Sequence, residues 1–498
     1  MNDSKNEMSK CITYIIAFSI LFTGIFVFFA NIHPLIIFDA DDWLFASYTR
    51  RATPIWGDWN PTRILPETFM SLCSMVGIIL FKPFTNDYIG SLAIAYALAV
   101  SVFVLLYFVF FISRISKTVG LRIYEEVGIL GIAVLYHFLI YNVKARDNLH
   151  MFAEANVTCM FFYVIPAVLN SILVLHFLNN EPDIFSKENI PVNSLRVLAI
   201  YLAINSNMFQ SIILVSFVGE TLLEKILFHR EKSLKLFLKK NAIWFLTLIC
   251  WMVSLVYEVN GGRADDLSNK DFGKNMLLCI RSLKSLLFER INRTFLLTSV
   301  LFVLTGVVAY LIKRKKEEKD SAYLNLIIRC IICGAVTLVY LILLCAKTSP
   351  DYMKRSGVLF GIMFYLLLAV MTSFAYTVSE IKLAFLIVPL IFYIIFNETV
   401  NDERMYKYVN SASHPERLCV EIDNDIINQI LKAEEEGKSE VTVFVPVYDM
   451  EENWPVATYV SDFMSDTLYR HGITKDWMKI YISPSKNMNR KYHMKIKS

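Results

Sequence analysis

An all-α polytopic membrane fold, ending in a small α+β unit, is what this sequence predicts, and three observations predict it. Apolar runs of about 20 residues recur along most of the chain, each long enough to cross roughly 30 Å of hydrocarbon as a helix. The 498 residues are 55% hydrophobic and only 19% charged, against about 25% charged in a soluble domain. From about residue 398 onward the composition turns polar, so the last part of the chain is expected to fold in water.

The first apolar run, Cys11 to Ala30, follows MNDSKNEMSK with its Lys5 and Lys10. It is too long for a signal-peptide core and lacks a small-x-small cleavage site, so an uncleaved first helix is expected. Further helices are expected over about 86–112, 123–141, 157–178, 194–207, 208–228, 241–259, 293–312, 322–346, 354–375 and 380–397, eleven in all. The segment 68–82 is apolar but short, which suits a re-entrant or interfacial helix rather than a full span. Most of the nine cysteines lie inside apolar runs and read as packing. The Cys330-x-x-Cys333 pair has no second pair or nearby histidine and reads the same way.

Positive charge then sets sidedness. The basic short loops, Ser113 to Arg122, His229 to Lys240 and Lys313 to Lys319, all fall on the side of the N-terminus when eleven helices cross. That side is expected to be cytoplasmic, and a twelfth crossing at 68–82 would break the agreement. The loop 31–85, the loops around Arg146 to Ala155, Gly261 to Asn292 and Lys347 to Lys354, and the tail 398–498 then share the outer face. The chain divides into a membrane part, 1–397, and a soluble tail, 398–498. In the tail, EIDNDIINQILKAEEEGK reads as an amphipathic helix, VTVFVPVY as an alternating strand, and ATYVSDFMSDTLYRHG as a helix ended by Gly472.

The net charge of +4 carries no message about nucleic acid, which is not expected as a partner. Ionisable residues are nearly absent from mid-span positions, and Glu220, Glu224, Glu258, Arg329 and Lys382 fall near expected ends. Ion-coupled transporters need such groups near the bilayer midplane, so transport is disfavoured.

Polar chemistry is concentrated instead in the outer loops. The first, FDADDWLFASYTRRATPIWGDWNPTRILPE, holds Asp39, Asp41, Asp42, Trp43, Arg50, Arg51, Arg63 and Glu67. The second holds Lys144, Arg146, Asp147, His150 and Glu154; later ones hold Arg263, Asp265 and Asp266, then Lys347, Asp351, Lys354 and Arg355. A carboxylate at the membrane boundary can act as a general base toward a hydroxyl or orient it. Arginines suit bidentate contacts to a phosphate, and indoles offer flat apolar faces to sugars. Together they describe a site for a lipid phosphate bearing a sugar, reacting with a polar acceptor.

Blander readings stand beside these. Tryptophans and tyrosines in such loops commonly anchor at the interface, Arg50 and Arg51 suit lipid headgroups, and Asp265 and Asp266 suit solvated loop charges. The adjacent acids Asp41 and Asp42, beside Trp43 and directly after a first helix, favour function. Adjacent carboxylates also suit a divalent cation, but no ordered ligand spacing or histidine partner accompanies them, and no cofactor is expected.

A first membrane helix followed outside by DDW (Asp41 to Trp43) and then by NPTRILPE (Asn60 to Glu67) resembles the GT-C glycosyltransferases. Within these it is most similar to the bacterial O-antigen glucosyltransferases of serotype-conversion (Gtr) type, and the tail stretch SDTLYRHGITKDWMKIYI has the look of that family's C-terminal part. NPTR departs from the more usual Asn-Gly-Arg stretch, which leaves the role of Arg63 open.

The resemblance implies a GT-C-like fold in the bacterial inner membrane, with a cytoplasmic N-terminus and a periplasmic tail. It implies transfer of a sugar, often glucose, from undecaprenyl phosphate to lipid-linked O-antigen. The implied partners are that donor, the lipid-linked polysaccharide acceptor, membrane lipids, a companion flippase and a polyprenyl-phosphate glucosyltransferase. Asp41 or Asp42 would be the base or acceptor-orienting acid. Arg63, Arg263 and Arg355 would hold the donor phosphate, with Asp39, Trp43, Glu67 and Glu154 lining the substrate site. An O-antigen polymerase and a non-enzymatic carrier of polyprenyl-linked sugars are the alternative readings.

Overall fold

The structure is a computed structural model, and it describes residues 2–53, 59–141, 150–180, 185, 189–228, 233–260, 271–313, 318–400, 414–447 and 460–494. In chain order the main helices are α1 (Asn2–Val27), α2 (Ala40–Phe45), α3 (Ile64–Thr85), α4 (Tyr88–Val119), α5 (Ile123–Leu139), α6 (Val157–Asn180), α7 (Ile190–Ile204) and α8 (Met208–Phe228). They are followed by α9 (Leu234–Lys240), α10 (Ala242–Val259), α11 (Phe272–Ser285), α12 (Arg293–Lys313), α13 (Glu318–Lys347), α14 (Phe360–Glu380) and α15 (Val388–Val400). The tail adds α16 (Glu416–Glu435), β1 (Glu440–Val445), α17 (Ser461–Arg470), β2 (Lys479–Pro484) and α18 (Lys486–Lys491).

Among the described residues, nine helices are long and apolar enough to cross a membrane, and the chain is a polytopic, all-helical membrane protein apart from its tail. All eleven expected apolar segments are helical. Three of them, α5, α7 and α8, do not meet that standard of length and apolarity, whereas Ile64–Thr85 does. The 68–82 segment is therefore longer than its apolar core suggests. Pro66 and Glu67 occupy its first turn, where a missing N–H and a negative charge are both tolerated or favoured. A π-turn over Gly77–Phe81 lies just before Pro83 and carries the helix on to Thr85. Both flanks of α3 return to one place. The Trp43 carbonyl and Ser47 meet Thr467, and the Tyr88 hydroxyl lies 2.8 Å from His471 Nδ1. By length and apolarity this helix qualifies as a crossing, where a re-entrant or interfacial segment was expected.

Burial sorts the bundle into centre and rim. Within the apolar windows, 89% of α6 and 83% of α14 is buried, against 17% to 28% for α1, α10, α12 and α13. The rim helices turn Ile12, Ile20, Leu297, Leu304 and Ile331 outward, as lipid-facing surfaces do. Between helices that hydrocarbon does not force together, close approach relies on small residues. At Gly306 of α12 a Cβ would stand 2.8 Å from Ser373 Cβ of α14. Inside the bundle Arg329 pairs with Glu220 at 2.9 Å and donates to Thr221 at 2.7 Å, so these ionisable groups neutralise each other. Cys330 and Cys333 are buried free thiols, as packing requires.

In the tail, the expected amphipathic helix, strand and second helix all form, and Gly472 follows the last with φ +64°. β1 pairs in parallel with β2, Val441 opposite Ile480 and Val443 opposite Ile482. Val443, Val445 and Ile480 point inward against α16 and α17.

Candidate functional site

Loops expected on the outer face converge at the N-terminus of α6, the most buried of the candidate spanning helices. Asp42 makes the junction. Its Oδ1 accepts from the Thr158 backbone N–H and hydroxyl, both at 2.7 Å, and its Oδ2 accepts from the backbone N–H groups of Phe38 and Asp39, both at 3.2 Å. Asn156 caps the same helix end by accepting from Cys159 N–H at 2.8 Å. The Thr158 and Cys159 amides at the start of α6 are thereby satisfied, and its dipole already faces a carboxylate. Burial, and then the neighbouring Asp39, push the Asp42 carboxyl up to about 7, while its hydrogen bonds pull the other way.

A third acid completes this pocket, and sequence reasoning missed it. Asp423 of α16 is fully buried, and neither of its oxygens meets a hydrogen-bond donor among the described residues. Burial, then Asp42 and Asp39, raise its carboxyl well above the ordinary range. The available signal was phase. Cys419, Ile422, Ile426, Ile427 and Ile430 mark the buried stripe of α16, and Asp423 sits within it.

Asp41, by contrast, is exposed. In a helix, adjacent residues point about 100° apart, so α2 sends Asp42 inward and Asp41 to the open face. Trp43 is 0% exposed and its carbonyl accepts from the Thr467 hydroxyl at 2.6 Å. This corrects the expectation of a sugar-stacking ring at that position: the indole is enclosed packing.

On the other side of the α6 terminus lies Glu154, buried against Gly357 and Tyr163. Burial raises its carboxyl to about 8, opposed by Arg355 and by the backbone N–H groups of Ala155 and Gly357. Arg355 is exposed, with its guanidinium 4.8 Å from the Tyr352 ring centroid. Two stitches hold this loop in place: Ser356 donates to the Ala153 carbonyl at 3.1 Å, and Gln210 donates to the Gly357 carbonyl at 2.7 Å. The Cys159 thiol lies within electrostatic reach of Asp41, Asp42, Glu154 and Arg355, which brings both halves of the site together.

A π-turn over Met160–Val164 widens the start of α6. It sends Phe162 toward the Arg63 guanidinium, 6.0 Å from the ring centroid, and places Tyr163 beside Arg355. Arg63 adopts φ +64° and reaches Glu258 at 4.0 Å. Glu67 is buried and committed to Arg50, whose Nε and Nη2 lie 2.5 and 3.0 Å from its oxygens. Arg50 is thus an internal partner rather than a headgroup contact, and Glu67 lies under the site rather than in it. Arg263, with Lys144, Arg146, Asp147, Asp265 and Asp266, lies outside the described residues.

The open face therefore presents Asp41, Arg63 and Arg355, with Glu154 protonatable just behind. Among the described residues no group of three His, Cys, Asp or Glu side chains is placed to hold a metal ion. Two open apolar grooves, about 970 Å³ along α1 and about 930 Å³ along α7, lie on the lipid-facing side away from the acids. Compared with known proteins, the chain matches no family model, no curated protein and no solved structure.

Proposed function

We propose that this chain is a GT-C-like glycosyltransferase of the bacterial inner membrane. It would transfer a sugar, glucosyl in the nearest resemblance, from a polyprenyl-phosphate donor to lipid-linked O-antigen or a related surface polysaccharide. The observation that carries this reading is the convergence, at one end of the bundle, of an exposed carboxylate with two arginines around the start of α6. The basic short loops favour placing that end on the periplasmic side.

In this reading Arg355 and Arg63 hold the donor phosphate, for which planar guanidinium groups are suited. The acceptor hydroxyl attacks the anomeric carbon as the bond from that carbon to the phosphate oxygen breaks. Both electrons of the broken bond leave with polyprenyl phosphate, whose charge the arginines stabilise. The hydroxyl proton passes to Asp41. Glu154, raised to about 8, is protonated at neutral pH and serves as a hydrogen-bond donor to a sugar hydroxyl.

The test replaces Asp41 and Asp42 with Asn in turn and follows the polysaccharide made by cells with and without each variant. Asp41→Asn is expected to abolish the modification in a protein that folds normally. Asp42→Asn is expected to lower folded yield. Full activity in a well-expressed Asp41→Asn protein would remove this carboxylate from catalysis, and an unchanged polysaccharide on deleting the gene would remove the transferase reading.

A further inference from the structure

The tail presents a second surface, which the transfer site leaves unused. Along β2 and the two residues that lead into it the side chains alternate, with Met478 and Ile480 buried and Trp477, Lys479 and Tyr481 on the opposite face. β1 turns Thr442 and Phe444 to that same face, in register with Tyr481 and Ser483. Trp477 is 41%, Tyr481 49% and Phe444 51% exposed. Three aromatic rings thus share one open face, separated by hydroxyl and charged side chains. Trp477 and Tyr481, four residues apart on an extended strand, stand roughly 13 Å apart.

The groups around the rings decide what this face suits. Trp477 Nε1 donates to Asp466 at 2.8 Å, and Lys479 donates to Asp462 at 2.7 Å while lying 5.8 Å from the indole centroid. These contacts fix the ring and line its rim with polar atoms. Strand addition is blocked at Phe444, because Gln429 already serves both its N–H (2.8 Å) and its C=O (3.1 Å) on the outer edge of β1. Burial in hydrocarbon would strip water from the Lys479–Asp462 pair and from Arg470–Asp466 at 3.8 Å. Those pairs are balanced, so the face selects no ionic ligand. Pyranose rings have the matching chemistry: an apolar face that stacks on aromatics, and hydroxyls that reach the polar rim.

Position links this face to the transfer site. Asp466, which holds Trp477, is adjacent in α17 to Thr467, which bonds the Trp43 carbonyl and meets the Ser47 hydroxyl at 2.7 Å. One short helix therefore joins the aromatic face to the segment that carries Asp41. We propose that the face formed by Trp477, Tyr481 and Phe444 binds an uncharged polysaccharide acceptor, holding neighbouring sugars while the reacting one lies at Asp41. The inference rests on the transferase reading for the identity of its ligand, but binding is measurable without transfer.

The experiment uses the full chain in nanodiscs, with Asp41→Asn as background so that no turnover occurs. Calorimetric titration with polysaccharide released by mild acid from the host membranes is expected to show saturable binding. Trp477→Ala and Tyr481→Ala are each expected to weaken it at least tenfold, Trp477→Phe by less, all with unchanged melting. No binding to the parent protein, or equal binding by the Trp477→Ala, Tyr481→Ala double variant, overturns the proposal. Quenching of the Trp477 emission by brominated acyl chains, read as wild type minus Trp477→Phe, would place the face in the bilayer and also overturn it. Loss of transfer in wild type with this binding intact would refute the transferase reading alone.

Discussion

Gly357 offers a sharp test of whether Glu154 belongs to the site in the geometry described. A Cβ at this position would stand 1.6 Å from Glu154 Oε1, 2.9 Å from its carboxyl carbon and 2.9 Å from Tyr163 Cβ. Ordinary contact begins near 3.4 Å, so Gly357→Ala must drive the carboxyl aside by nearly 2 Å. Tyr163 Cβ cannot yield as cheaply, because it is one bond from its own backbone within the first turns of α6. Overpacking of this kind costs about 1–3 kcal/mol. The expected cost is therefore about 1–3 kcal/mol, together with loss of transfer.

The discriminating measurement is a double-mutant cycle on purified protein, read as thermal or denaturant midpoint. In a Glu154→Ala background the closest clash disappears and only the Tyr163 contact remains, so Gly357→Ala should then cost about 1 kcal/mol or less. The difference, a coupling of about 1–2 kcal/mol, is the signature of a direct clash. An equal cost in both backgrounds would show that Gly357 and Glu154 are not in contact, and the placement of Glu154 beside Arg355 would fall with it.

Two further outcomes follow from the buried charges. Asp42 and Asp423 have folded pKa values above the ordinary 3.8, so docking of the tail is most stable below that pH and weakens as pH rises through about 7, by an amount on the order of a few kcal/mol. Hydrogen exchange of α16 across pH 5 to 8.5 should show this loss, and Asp423→Asn should flatten it. A flat wild-type profile would refute the three-acid junction. Breaking the Arg50–Glu67 pair should also be costly: Arg50→Met leaves Glu67, 1% exposed, without its cation, for about 2–4 kcal/mol, while Arg50→Met with Glu67→Leu should cost less than either single change. A neutral Arg50→Met would return Arg50 to the surface role assigned from sequence.

Much of the fold was legible because a membrane helix declares itself by length and apolarity alone, without partners. The convergence of Asp41, Glu154 and Arg355, hundreds of positions apart, was legible for a different reason: the bias of basic residues toward one set of loops sorts the others onto a common face. Periodicity could not supply what depends on distant pairing. β2 lacks a strong alternating signal of its own, and its parallel partner lies across α17. Asp423 meets Asp42 only through tail docking, and the partnership of Arg50 with Glu67 depends on where α3 begins.

The adjacent acids of the first loop show how far local physics can go once one contact is known. From sequence, Asp41 and Asp42 are interchangeable, because a helix of six residues has no phase of its own. The Thr158 contact breaks the symmetry. Four hydrogen bonds and full burial make Asp42 the pin between α2 and α6, and an acid so engaged cannot also accept a substrate proton without loosening the loop. Asp41 is then held rigidly at the open face by its neighbour, on the same helix terminus that positions Glu154, Arg63 and Arg355. A carboxylate intended for chemistry needs that kind of support from a residue that does none, since positioning to within a fraction of an ångström is what separates a reactive group from a solvated one. Under the proposed transferase reading the pair divides into one support and one reagent, and loss of folding with Asp42→Asn but of transfer with Asp41→Asn is the outcome this division requires.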